Sequence, residues 1–150
     1  MKAYILAAAL FSVITGSCQN QNISASKVPS VVVNKVQESY PGAKDVDWKK
    51  SKDNYEAEIQ VNDSTEVSIL VNIAGNKVME KRDIRISEVP SAVTNALTNH
   101  YKDYKIDEAD QITKDGTTYY QLELEAKGKK DINVVFNANG TEEKSMTYWD

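Results

Sequence analysis

Residues 28–40 read VPSVVVNKVQESY and residues 89–101 read VPSAVTNALTNHY, so nearly one phrase occurs twice at an offset of 61 residues. Each copy predicts a helix. Proline suits a first helical turn, because its missing N–H would find no partner there and its φ is already helical. Val28, Val32, Val36 and Tyr40 recur every four residues, as do Val89, Val93, Leu97 and Tyr101, which puts each set on one stripe facing a core. Pro41 and Gly42 stop the first helix, whereas the second has Lys102 and Asp103 there and lacks that signal.

After the helices the correspondence resumes at an offset of 65, with residues 55–85 lying over residues 120–150. Four extra residues in the second connector account for the change. Tyr55, Ala57, Ile59 and Val61 alternate with Glu56, Glu58 and Gln60, and Tyr120, Leu122, Leu124 and Ala126 alternate with Gln121, Glu123 and Glu125. That period of two predicts strands with one buried face. Val67, Ile69 and Val71 match Ile132, Val134 and Phe136 in a following strand, and residues 72–75 and 137–140 supply a glycine hairpin turn after each. Turn residues at Asp53-Asn54 and Asp115-Gly116 call for an earlier strand near residues 46–50 and 110–114. A further strand should follow each glycine turn, although its alternation is ambiguous in both copies.

Each unit is therefore expected to be a helix followed by four antiparallel strands, the first over 28–86 and the second over 87–150. A unit of that size buries only about 60% of its unfolded surface and is marginal alone. Two copies can share one antiparallel sheet, lay both helices on one face and merge two thin cores into one. The fold class predicted is α+β, as a pseudo-symmetric pair rather than a solenoid.

The chain has 150 residues with 18 Lys+Arg against 22 Asp+Glu, a formal charge of -4. Such a balance offers no general attraction to nucleic acid or to anionic lipid. Its first residues read as an export signal: Lys2 gives a positive start, residues 3–14 are mostly apolar, and Thr15, Gly16 and Ser17 are small. An apolar run this short falls below the roughly 20 residues needed to span a bilayer as a helix. The single cysteine, Cys18, follows those small residues, a placement that resembles a bacterial lipobox, in which the thiol is acylated and becomes the first residue of the mature chain. Thr15 stands where a lipobox usually has leucine, so ordinary signal-peptidase cleavage with Cys18 left as a free thiol is the alternative. Cleavage would remove residues 1–17, and residues 18–27, which are polar, would serve as a tether holding the domain off the membrane. One cysteine allows no intrachain disulfide, so the core alone must hold the domain together.

The valine-proline helix ending in tyrosine, Trp48 in the first strand, the strand NYEAEIQV and the Asn-x-x-Gly hairpin together resemble the β-lactamase-inhibitor-like, PepSY-like family of exported Gram-negative proteins. The likeness covers residues 28–150 and implies tandem units of one helix and four strands, with a periplasmic location. Unit two has no tryptophan matching Trp48 and no proline matching Pro41, and the chain lacks the cysteines that staple the repeats of the inhibitor lending the family its name. That inhibitor plugs an enzyme cleft with an acidic hairpin loop. Here Asp63 occupies the loop after the second strand of unit one, where aspartate is also a common turn residue.

Catalytic patterns are sparse. His100 is the single histidine, it lies on the second helix, and its repeat counterpart is Ser39, so the fold requires no imidazole there. No Cys/His cluster, twelve-residue calcium loop or glycine-rich phosphate loop occurs, and the acidic run Asp107, Glu108, Asp110 reads as a solvated connector. No metal or other cofactor is expected. Glu56, Glu58 and Glu123 would be the carboxylates of a small hydrolase, but residues on an open sheet face are well solvated and catalytic acids need a cleft. Lys49, Lys50 and Lys52, like Lys127, Lys129 and Lys130, fall near turns and edges, where lysine deters unwanted strand pairing.

With both helices on one face, the other face is expected to be bare and lined by Glu56, Glu58, Gln60, Leu70, Tyr119, Gln121, Glu123, Glu125 and Val135. Acids with scattered apolar groups suit a basic or amphipathic peptide. The reading is a non-enzymatic periplasmic module that binds a protein or peptide, in its sharper form an inhibitor or sensor of an envelope enzyme. A hydrolase and a purely structural envelope component are the alternatives.

Overall fold

A computed structural model describes residues 21–62 and 65–149. The expected signal peptide, Cys18 and Asp63 lie outside the described residues.

Two helices, α1 (Ser30–Ser39) and α2 (Ser91–His100), start and stop alike. Pro29 and Pro90 sit one place before the helix, with extended backbones (φ -56° and -57°), instead of inside the first turn. Their carbonyls accept the opening bonds, from the N–H groups of Val32 and Val33 and of Val93 and Thr94. At the far end the Tyr40 N–H donates to the Val36 carbonyl and the Tyr101 N–H to the Leu97 carbonyl, so α2 needs no proline to end where α1 does.

The strands are β1 (Gln21–Ile23), β2 (Asp47–Ser51), β3 (Asn54–Asn62), β4 (Thr65–Asn72), β5 (Lys77–Asp83), β6 (Lys105–Lys114), β7 (Thr117–Glu125) and β8 (Ile132–Asn137). They form one eight-stranded antiparallel sheet in chain order. Pairing at β5–β6, from Met79↔Lys114 to Asp83↔Asp110, joins the two units. Residues opposite one another in a ladder share a face, so the row Val67, Arg82, Gln111, Tyr120, Phe136 carries one face across the junction. Val32 and Val36 of α1 pack on that face in unit one, and Val93 and Leu97 of α2 on the same face in unit two.

Three expectations need correcting. The four-strand count holds for β2–β5, but among the described residues unit two has three strands. After its glycine turn it keeps one bridge, Phe136↔Glu142, and the chain then leaves the edge. In unit one the equivalent β5 has β6 to pair with, whereas among the described residues the end of unit two has no further strand beside it. The eighth strand comes instead from the polar segment expected to be a free tether: Gln21, Asn22 and Ile23 pair with Lys50, Lys49 and Trp48. Ile23 packs against the core there, one apolar contact in a run too polar to show a strand pattern.

The third correction is that the cores do not merge. One cluster joins Trp48, Tyr55, Ala57, Ile59, Val67, Ile69 and Val71 to α1, and another joins Ala109, Leu122, Leu124, Val134 and Phe136 to α2. Between them β5 and β6 turn Glu80, Arg82, Gln111 and Thr113 toward the helix side, because their registers put polar residues there. The Tyr40 hydroxyl donates to Glu80 in this gap (3.1 Å).

Each glycine turn abuts its own helix: a Cβ on Gly75 would run into Val31, and one on Gly140 into the Ala92 carbonyl. With φ at +81° as well, Gly140 cannot take a side chain without both backbone strain and a backbone clash. Gly140→Ala is expected to cost about 2–4 kcal/mol and to lower the melting temperature by roughly 5–10 °C, read by thermal circular dichroism.

Candidate binding surface

Strand pairing places Glu56, Glu58, Gln60, Leu70, Tyr119, Gln121, Glu123, Glu125 and Val135 on the face away from the helices. That face is not bare. Gln60 and Glu125 are exposed and Glu58, Leu70, Tyr119 and Glu123 are half-buried, but Glu56, Gln121 and Val135 are buried, at 1%, 0% and 4% exposure. The cover is a later segment of the same chain, over residues 143–149. Glu143 leaves the sheet edge with its N–H donating to the Val135 carbonyl, and the segment then runs across the face to Trp149.

Trp149 is held the way a bound peptide would be. Its N–H donates to Gln121 Oε1 (2.7 Å), and its carbonyl accepts from Gln121 Nε2 (2.9 Å) and Lys81 Nζ (3.0 Å). A side-chain amide that offers one donor and one acceptor can satisfy both backbone groups of a residue that would otherwise be buried unpaired. Lys81 Nζ also stands 5.6 Å from the centre of the Trp149 ring, within cation–π reach. Lys81 belongs to unit one and Gln121 to unit two, so the tryptophan closes the junction on the side opposite the helices.

Acids surround this clasp. Burial pushes the Glu56 carboxyl above its ordinary range, against the downward pull of a hydrogen bond from the Trp149 side chain and of Lys49 and Lys81. Among the described residues Glu56 Oε1 has no hydrogen-bond partner. Burial also raises Asp110, and Asp83 beside it adds to the effect while Lys81 and Gln121 oppose it, leaving a value of about 6. The Tyr148 hydroxyl is pushed up to about 12, first by burial and then by the charges of Asp110 and Glu123. Lys49 is ion-paired to Glu58 across β2 and β3.

The three hydrolase carboxylates are not all brought together: Glu56 and Glu58 are neighbours on one face of β3, but Glu123 is remote from both. Glu56 and Glu58 lie on β3 and Glu123 on β7, four strands away, which at about 4.8 Å per strand is roughly 19 Å and far beyond the spacing of a glycosidase pair. His100 is exposed at the end of α2. Among the described residues no group of three or more His, Cys, Asp or Glu side chains could hold a metal ion. Sequence reading missed Lys81, Asp83, Asp110, Tyr148 and Trp149 as parts of this face. The available signal was the aromatic pair Tyr148-Trp149 closing an otherwise polar run.

Fold and face together define a class: a tandem helix-and-sheet module whose acidic face is closed by its own C-terminal segment. The family profile described as "Putative beta-lactamase-inhibitor-like, PepSY-like" matches residues 14–76 and again residues 71–142, and the chain belongs to that family. Solved structures share the fold at low identity. A DUF2874 family protein from Bacteroides uniformis superposes with a TM-score of 0.69 at 19% identity, over 76% of this chain and 85% of that one. One described among "putative periplasmic proteins", from Bacteroides eggerthii, gives 0.70 at 19% identity over 77% and 85%. A BLIP-like protein from Bacteroides fragilis gives 0.63 at 19% identity over 77% and 82%. No curated protein matches the chain.

Glu56 and Asp110 bind protons more tightly in the folded chain than in the unfolded one. Stability should therefore fall as pH rises from the ordinary aspartate value of 3.8 toward about 6, and level off above it. The carboxyls of Glu38, Glu88 and Asp103 are lowered by surface ion pairs and act with the opposite sign, but only in more acidic solution. Urea unfolding near pH 5 and near pH 7.5 is expected to show the chain about 1 kcal/mol more stable at the lower pH, after allowance for solvent screening. Asp110→Asn should remove most of that difference.

Proposed function

We propose that the chain is an exported, lipid-anchored periplasmic module that binds a protein or peptide on the strand face opposite its helices, and that it inhibits or senses an envelope enzyme. The observation that carries this reading is that the acidic face already holds a peptide segment, gripping it through the backbone of Trp149. Membership of an inhibitor-like family and the periplasmic description of one structural neighbour support it. Glu58, Gln60, Leu70, Tyr119, Glu123 and Glu125 form the accessible margin, and Glu56, Gln121 and Val135 lie under the C-terminal segment.

On this reading residues 1–17 are removed on export and Cys18 carries the lipid. Gln21, the first described residue, already lies in β1. Units 28–86 and 87–150 follow.

Affinity capture from native envelopes, comparing the wild-type chain with Glu58→Lys/Glu125→Lys, tests the face. Reversing two accessible acids should reduce recovery of the partner about tenfold or more, and equal recovery would exclude this surface. Labelling with a fatty-acid analogue tests the anchor: the wild-type chain should take up label and Cys18→Ser should not.

A further inference from the structure

Resting on the reading of this face as a peptide-binding surface, the geometry points to the class of its ligand: a peptide presenting an aromatic residue with a basic side chain beside it, which displaces Tyr148 and Trp149 from the same cradle.

The grip on the backbone does not depend on sequence. Gln121 meets both the N–H and the carbonyl of the residue in the Trp149 position, and Lys81 meets the carbonyl again, so any extended segment can be held there. The need for an aromatic ring comes from what that residue covers: Trp149 is 9% exposed and lies beside Lys81. These two features describe the tail as it is. The third describes what the tail fails to supply.

Glu56 Oε1, in a residue 1% exposed, faces no donor among the described residues. A buried carboxylate oxygen without a donor bears the full cost of losing water, so an occupant that brings an N–H or a cation to it gains over one that does not. Local charge points the same way, since Lys49 and Lys81 offset Glu56 and Lys81 offsets Asp110, while Glu58 and Asp83 add to the negative charge. The tail reaches Glu56 through the Trp149 side chain but leaves Oε1 without a donor, and it brings no net positive charge. Between residues 141 and 150 its acids are Glu142, Glu143 and Asp150, and its one base is Lys144. It is an acidic strap on an acidic face, which makes it a placeholder that a basic competitor can lift. An arginine or lysine flanking the ring in the incoming peptide would reach Glu56 and meet the excess of negative charge.

Calorimetry with the full chain tests this, using two capped peptides, Thr-Arg-Trp-Lys and Thr-Glu-Trp-Glu. Trp149→Ala, which removes the ring and so weakens the tail's hold on the cradle, should bind the basic peptide at least about tenfold more tightly than the intact chain does, and at least about tenfold more tightly than it binds the acidic peptide. Adding Glu56→Gln should shrink that preference. Equal binding by intact and variant chains, or equal binding of the two peptides, would overturn the inference. Because Trp149→Ala could loosen the fold, a second measurement uses the intact chain. Saturating basic peptide should accelerate hydrogen exchange at the Trp149 amide and leave amides in β3 and β4 unchanged, and an unaffected Trp149 amide would overturn displacement. The envelope capture is independent. Peptide binding without a captured partner would leave the cradle standing and remove the wider role, whereas a captured partner without peptide binding would remove this ligand class.

Discussion

The ladder between β5 and β6 is the constraint on which the rest depends. It fuses two units into one sheet, yet no apolar core crosses it, because Glu80, Arg82, Gln111 and Thr113 occupy the helix side. Backbone hydrogen bonds are modest in net worth and fall apart readily when water reaches them. The junction is therefore closed on its other side by Trp149, whose partners Lys81 and Gln121 come from the two units. Binding and assembly use the same residues, and whatever occupies that position also seals the seam.

This coupling explains the unusual polar burial. Glu56, Ser68 and Gln121 are buried on a face that in most one-sided antiparallel sheets would be wet. Gln121 is satisfied by Trp149 and Asp110, while Glu56 is left half-satisfied. The surface ion pairs contribute little by comparison. Lys35–Glu38, Arg85–Glu88 and Lys129–Asp103 each leave at least one partner largely in water.

Much of the architecture was legible because it is carried by periodicity. Apolar residues every four positions marked Val32, Val36, Val93 and Leu97, and alternation marked Tyr55, Ala57, Ile59, Leu122 and Leu124, all of them buried in the cores. What was not legible depends on pairing partners. Gln21, Asn22 and Ile23 become a strand only because β2 offers an edge, and the end of unit two stops being a strand because no described strand lies beside it. A pattern of exposed acids is identical whether the face is open or covered, so Glu56 and Gln121 could be assigned to the correct side without their burial being foreseen.

The two glycine turns have a consequence for how the chain tolerates change in length. Gly75 presses on Val31 and Gly140 on Ala92, equivalent positions in the two copies, although the second copy carries four more residues between helix and turn. All of that slack lies after Tyr101 and enters the first hairpin: residues 101–104 link α2 to β6 where residues 40–46 link α1 to β2, but β6 has 10 residues against 5 in β2. The first hairpin of each unit works as an expansion joint: length gained in its strands leaves both clamps seated.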